Sequence, residues 1–147
     1  MSLPIKIEHM RKLLLTILFF ISISVFGQIT KADTWDEAKK IALSENKDIL
    51  IEFTGSSWCK PCIRMEKEVL GHPKFEEFAK DKFVLFVLDL QMPIKVDSEN
   101  YQTFERYKKI HNVSFYPTYV LTDSDGKEKT RLKGYYSLNN FIKKLSK

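Results

Sequence analysis

Both cysteines of this 147-residue chain fall in one tetrapeptide, Cys59-Lys60-Pro61-Cys62. A bridge over two intervening residues closes almost no loop in the unfolded chain, so it contributes little to stability through chain entropy. Stability is a poor reason for the pair, and chemistry is a better one. At i and i+3 on the first turn of a helix, two cysteines lie close enough to bridge, and the first is expected to be exposed at the helix N-terminus. Free N–H groups and the positive end of the helix dipole favour thiolate over thiol there, and Lys60 adds a cation beside it. The thiolate is the attacking species in thiol-disulfide exchange. Cys59 is therefore the expected nucleophile and Cys62 the resolving thiol that releases a mixed disulfide.

The N-terminus bears on whether such a pair meets oxidising conditions. Arg11 and Lys12 precede an apolar run of 14 residues, Leu13 to Phe26, which ends at Gly27-Gln28. Basic region, apolar stretch and small residue at the junction form a secretory signal pattern over residues 1–27. The run is shorter than the ~20 residues of a spanning helix, and Thr16, Ser22 and Ser24 dilute it, so cleavage is expected in preference to an uncleaved anchor. Met1 to His9, ahead of a second methionine at Met10, reads either as an appended leader or as a long basic region. No cysteine near the cut is available for lipid modification. The expectation is an exported protein, periplasmic or extracellular, with one domain over residues 28–147.

Composition supports one domain with a real core. Apolar residues make up 44% and aromatic residues 13%, which excludes disordered acidic, low-complexity, multi-disulfide and multi-span membrane chains. Removing Lys6, Arg11, Lys12 and Glu8 with the signal leaves 21 positive residues of the 24 and 18 negative of the 19. That excess is small and lies in mixed-sign runs such as Glu66-Lys67-Glu68, with no basic stripe that would argue for nucleic acid. A zinc site built on the pair needs two more ligands. Beyond residue 27 only His72 and His111 are on offer, neither in a second paired knuckle, and both read as surface or helix-terminal residues.

Local patterns place the pair at a strand-to-helix junction. Thr34 with Glu37 three residues on has capping-box spacing and opens an amphipathic helix to Ser44. Ile49 to Phe53 reads as a strand buried on both faces. The loop Gly55-Ser56-Ser57 leads to Trp58 and the cysteines, and helical spacing follows through Leu70. Pro73 suits the first turn of a short helix to Lys80, and Phe83 to Leu88 is a second buried strand. A loop with Met92-Pro93 precedes a helix from about Ser98 to Ile110. Tyr119 to Leu121 and Lys129 to Leu132 form a hairpin around Asp123 to Gly126, and Leu138 to Leu145 closes the chain as an amphipathic helix. The order indicates an α/β layer structure without internal repeat or interdomain linker.

Trp58-Cys59-Lys60-Pro61-Cys62 after a strand, with Tyr116-Pro117-Thr118 opening a later strand and Gly134 after the last one, resembles the thioredoxin family from about Thr34 to Leu145. The loop from Phe53 to Trp58 is more similar to exported thioredoxin-like proteins than to cytosolic thioredoxins. The resemblance implies a thioredoxin fold, a central mixed sheet flanked by α-helices. It also implies a cis Pro117 facing the cysteines and a substrate groove built from Trp58, Lys60, Pro61, Tyr116, Pro117 and Gly134. The alternatives are a trans proline starting an edge strand for Pro117, a core residue in place of a lid over the sulfurs for Trp58, and a simple strand end for Gly134.

Glu52 interrupts the first buried strand. A buried carboxyl has a raised pKa suited to proton transfer near neutral pH, and the resemblance places it near the acidic residue that assists the resolving cysteine of thioredoxins. It is one methylene longer and one residue further from the first cysteine than that residue, and Phe83 to Leu88 supplies no lysine to partner it. The alternative is a carboxylate facing solvent at the strand edge. Proline as the second intervening residue matches reducing members of the family and favours a reductant of protein disulfides. No FAD, NAD or phosphate-binding loop is visible, so no cofactor is expected, and recharging implies a membrane electron-transfer partner. The rival readings are a disulfide oxidase or isomerase and a thioredoxin-fold binding or chaperone module without turnover.

Overall fold

Short-range signals set most of the element boundaries. The computed structural model describes residues 28–146, so the expected signal segment, residues 1–27, lies outside the described residues. Thr34 caps the first helix by accepting the Glu37 N–H at 3.2 Å, and the Glu37 carboxylate reaches back to the Asp33 N–H at 2.9 Å. Reciprocal capping of this kind satisfies donors that a helix start would otherwise leave orphaned. Ser98 accepts the Tyr101 N–H at 3.3 Å to start a later helix, and the ring nitrogen of His72 accepts the Lys74 N–H at 3.1 Å ahead of Pro73.

In chain order the elements are β1 (Thr30–Ala32), α1 (Trp35–Glu45), β2 (Asp48–Thr54), α2 (Lys60–Met65), α3 (Pro73–Ala79), β3 (Phe83–Asp89), α4 (Glu99–Ile110), β4 (Thr118–Thr122), β5 (Glu128–Lys133) and α5 (Leu138–Leu145). Helix α2 continues with the wider π geometry over Glu66–Leu70. The expected elements are all present, and β1 is an addition. Three residues are too few for a periodic signal, and β1 exists because β3 offers it a parallel edge.

The sheet runs β1-β3-β2-β4-β5, with β1, β3 and β2 parallel and β4 and β5 antiparallel. The mixed sheet with helices on its faces is the α/β architecture that the element order indicates. Strand β2 is central, and its apolar run meets helices on both sides. Ile49, Ile51 and Phe53 pack with Ala38 and Ala42 of α1 and Phe104 of α4. Leu50 packs on the opposite face with Met65, Val69, Phe75 and Phe141. Side chains alternate along a strand, so Glu52 shares the face of Leu50 and turns toward the α2 layer. Its cross-strand neighbours are Val87 on β3 and Tyr119 on β4.

Phe141 anchors the α2-side core: it is fully buried and lies 4.8 Å from the Tyr119 ring and 5.6 Å from the Phe75 ring. Phe141→Ala is expected to lower stability by about 3–5 kcal/mol, the usual range for emptying such a position. Denaturant unfolding would register this as a lower midpoint at unchanged slope.

Candidate active site

Cys59 is the residue that opens α2. Its N–H donates to the Gly55 carbonyl at 2.8 Å, and its own carbonyl accepts from the Ile63 N–H at 3.0 Å. Pro61 sits in the first helical turn, where the missing N–H leaves no bond unmade. Cys59 and Cys62 are joined in a disulfide with their Cα atoms 5.2 Å apart. One expectation needs correction: Cys59 is only 6% exposed, against 1% for Cys62. The bridge draws the first sulfur toward the second, whose side of the helix is turned to the sheet.

The loop before Cys59 is tied to the connection after β3. The Asp89 carboxylate accepts the Ser56 N–H at 2.8 Å and also its hydroxyl, while Ser57 Oγ accepts the Met92 N–H at 3.1 Å. The Trp58 indole N–H donates to the Leu90 carbonyl at 2.6 Å. Its ring lies against Gly55, where a Cβ would come within 2.5 Å of the indole, so only glycine fits beneath it. Trp58 is 38% exposed and meets the Tyr116 ring edge-on at 5.9 Å, so it is not a core residue. Tyr116 in turn packs on Phe104 at 5.7 Å.

The peptide between Tyr116 and Pro117 is cis, as the resemblance implies, and so is that between Met92 and Pro93, which nothing in the sequence announced. The Gly134 N–H donates to the Pro117 carbonyl at 2.8 Å, and its φ of +82° directly after β5 is a conformation that favours glycine. Gly134 therefore both ends the strand and braces the proline. Lys60 and Pro61 are exposed beside the disulfide.

Glu52 is 2% exposed and does not face solvent at a strand edge. Burial raises its pKa to about 8; Glu66 and Asp89 act in the same direction, while Lys31 and Thr54 oppose them. A cavity of about 420 Å³ is lined by Glu52 and Cys62 together, with Lys31, Glu66 and Asp89 around them. Strand β3 indeed supplies no lysine. The cation comes from β1, where Lys31 pairs in register with Leu85.

His72 caps α3, and His111 ends α4 half-buried against the Phe53 ring at 5.9 Å, with burial lowering its pKa. Among the described residues no group of three or more His, Cys, Asp or Glu could hold a metal ion, and no helix is long and apolar enough to cross a membrane.

A sequence profile of the thioredoxin-like domain matches residues 35–147. The chain belongs to the thioredoxin-like family. Its curated relatives include the disulfide bond reductase DsbH of Chlamydia pneumoniae, 28% identical over 100 residues, which is 68% of this chain and 60% of that protein. The thioredoxin-related protein DsbJ of the same organism is 32% identical over 81 residues, 50% of this chain and 23% of that protein. The aligned region thus spans less than two thirds of either relative. A solved structure of a DsbH oxidoreductase superposes with a TM-score of 0.71 at 23% identity, over 85% of this chain and 88% of that one. That likeness is one of fold.

Within the thioredoxin-like framework, the residues that sequence reasoning missed are Lys31, Glu66, Asp89 and Tyr119. Lys31 lies within β1 and Asp89 ends β3, strands whose pairing is long-range, so no local pattern marks them; the helical spacing and mixed-sign run around Glu66 do not single it out either.

Glu52 retains its proton in the folded chain up to a higher pH than in the unfolded chain, where 4.5 is the ordinary value. Between those limits the unfolded state binds fewer protons, so stability falls as pH rises from about 4.5 to about 8. At about 1.4 kcal/mol per pH unit the loss is on the order of 5 kcal/mol. Glu52→Gln is expected to remove this decline, as measured by denaturant unfolding of both proteins across that range.

Proposed function

We propose that this chain is an exported thiol-disulfide oxidoreductase that reduces protein disulfides through Cys59 and Cys62. The observation that carries the reading is the Cys59–Cys62 disulfide at the start of α2, with the buried Glu52 carboxyl lining the same cavity as Cys62. Membership of the thioredoxin-like family and the likeness to a relative named as a disulfide bond reductase support it.

In the reduced protein the Cys59 thiolate, favoured by the helix N-terminus and by Lys60, attacks one sulfur of a substrate disulfide. A mixed disulfide forms, and the other substrate sulfur leaves as thiolate. Cys62 then gives its thiol proton to the Glu52 carboxylate and attacks the Cys59 sulfur. The remaining substrate sulfur departs as thiolate, and Cys59–Cys62 is the product. Two electrons pass to the substrate, which ends as a dithiol once protonated. In the return direction a donor thiolate attacks the bridge, and the proton on Glu52 goes back to Cys62. A pKa near 8 leaves Glu52 able to serve both directions near neutral pH.

Trp58, Tyr116, Pro117 and Gly134 form the wall along which an extended substrate segment lies, with Lys60 and Pro61 at its rim. The secretory signal pattern of residues 1–27 supports a reaction outside the cytoplasm. There a reductant must be recharged, and a membrane protein carrying electrons outward is the partner in this reading.

With insulin and dithiothreitol, the parent is expected to shorten the lag before precipitation, and an unchanged lag would mark a binding module. Cys62→Ser is expected to accumulate a mixed disulfide with substrate, and Cys59→Ser to form none. Equilibration with glutathione buffers is expected to give a potential near the ~−270 mV of reducing thioredoxins; one near the ~−120 mV of strong oxidants would reverse the direction.

A further inference from the structure

Tyr119 carries a hydroxyl that the fold has no structural use for. The side chain is fully buried, and its ring packs on Phe141. The oxygen has no hydrogen-bond partner. A phenylalanine would fill the ring's place, and a buried hydroxyl without a partner is unfavourable. Tyr119 stands directly opposite Glu52 in the antiparallel β2–β4 pair, on the same face of the sheet. Glu52 is the charge that acts on it most strongly.

We infer that Tyr119 is a positioning residue for the proton transfer at Glu52: its hydroxyl donates a hydrogen bond to the Glu52 carboxylate in the state that deprotonates Cys62. The inference rests on the reading of Glu52 as proton acceptor and adds to it the group that holds the ionised form. In the disulfide form the Tyr119 hydroxyl stands unpaired, and Glu52 keeps its proton at neutral pH, so the stronger, charge-assisted bond to a carboxylate is still to be made. Once Cys62 is a thiol, the carboxylate is the base, and no backbone N–H of a central strand is free to solvate it. The other groups facing Glu52 are Lys31 from β1, Glu66 and Lys67 from the helix that follows Cys62, Asp89 from β3 and Thr54 on β2. Lys31 and Lys67 are the cations of this set, while Glu66 and Asp89 disfavour the carboxylate. Tyr119 faces Glu52 from β4, on the other side of β2 from the strands that carry Lys31 and Asp89.

The test follows the second step alone. Reduced protein treated with Ellman's reagent carries thionitrobenzoate on Cys59, and attack by Cys62 releases it as a coloured thiolate that stopped flow records against pH. Tyr119→Phe is expected to move the midpoint of that profile up by about one pH unit, the effect of losing a hydrogen bond to a charged group. The plateau rate at high pH is expected to match the parent. Glu52→Gln should lack the midpoint, and adding Tyr119→Phe to it should change nothing further. A parental midpoint in Tyr119→Phe, with Glu52→Gln altered, overturns the role of Tyr119 alone. A parental profile in Glu52→Gln overturns the Glu52 reading and this inference with it. Should Tyr119→Phe fail to fold, 3-fluorotyrosine at position 119, a stronger donor of nearly the same shape, is expected to move the midpoint down. An unmoved midpoint there overturns the inference.

Discussion

A carboxyl group held out of water in the middle strand of the sheet, on the wall of the cavity that Cys62 shares, is the constraint on which the rest of the structure turns. Burying Glu52 is unfavourable, as its raised pKa records. The fold tolerates it because β2 is packed on both faces, with Leu50 in one core and Ile49, Ile51 and Phe53 in the other. A register slip of one residue would turn Glu52 into the α1–α4 core and Phe53 toward the cysteines. Two fully satisfied apolar faces therefore hold one costly polar group in place. The group is also not left wholly dry, because the cavity beside it brings Lys31, Glu66 and Asp89 within electrostatic reach.

The second constraint is on the loop that delivers Cys59. Ser56 to Trp58 are exposed, beyond a Gly55 buried under the Trp58 ring, yet four hydrogen bonds to Asp89, Leu90 and Met92 fasten this loop to the end of β3. Asp89 thus serves the site twice, as a brace for the loop through its carboxylate and as a negative charge near Glu52. The aromatic chain from Trp58 through Tyr116 and Phe104 to Phe53 then runs from the surface beside the disulfide into the core of the opposite sheet face. Each link in that chain is a ring contact of about 6 Å, so the wall of the groove is continuous with the core.

Much of this was legible before the structure, and the reason is that the signals concerned are local. Thr34 and Glu37, Pro73, Ser98 and the apolar runs of β2 and β3 each carry their own physical rule, and each element appears where its rule puts it. The cysteine spacing marks the chemistry in the same local way. What escaped was long-range. β1 is three residues that become a strand only because β3 lies beside them, so the cation near Glu52 was sought on the wrong strand. Tyr119 looked like one more apolar position of a hairpin, since nothing in its neighbourhood reveals that β4 pairs with β2 opposite Glu52. The exposure expected of Cys59 was misjudged for a related reason: a helix N-terminus is open to solvent, but a bridge to a sheet-facing Cys62 turns the sulfur inward.

The order of the two thiols is the claim on which the chemistry depends, and alkylation of the reduced protein tests it most directly. A brief pulse of iodoacetamide at neutral pH, followed by peptide mass mapping, is expected to label Cys59 well ahead of Cys62, because a helix start favours thiolate and Cys62 is the more deeply buried of the two. Labelling of Cys62 first, or of both at equal rates, would contradict it.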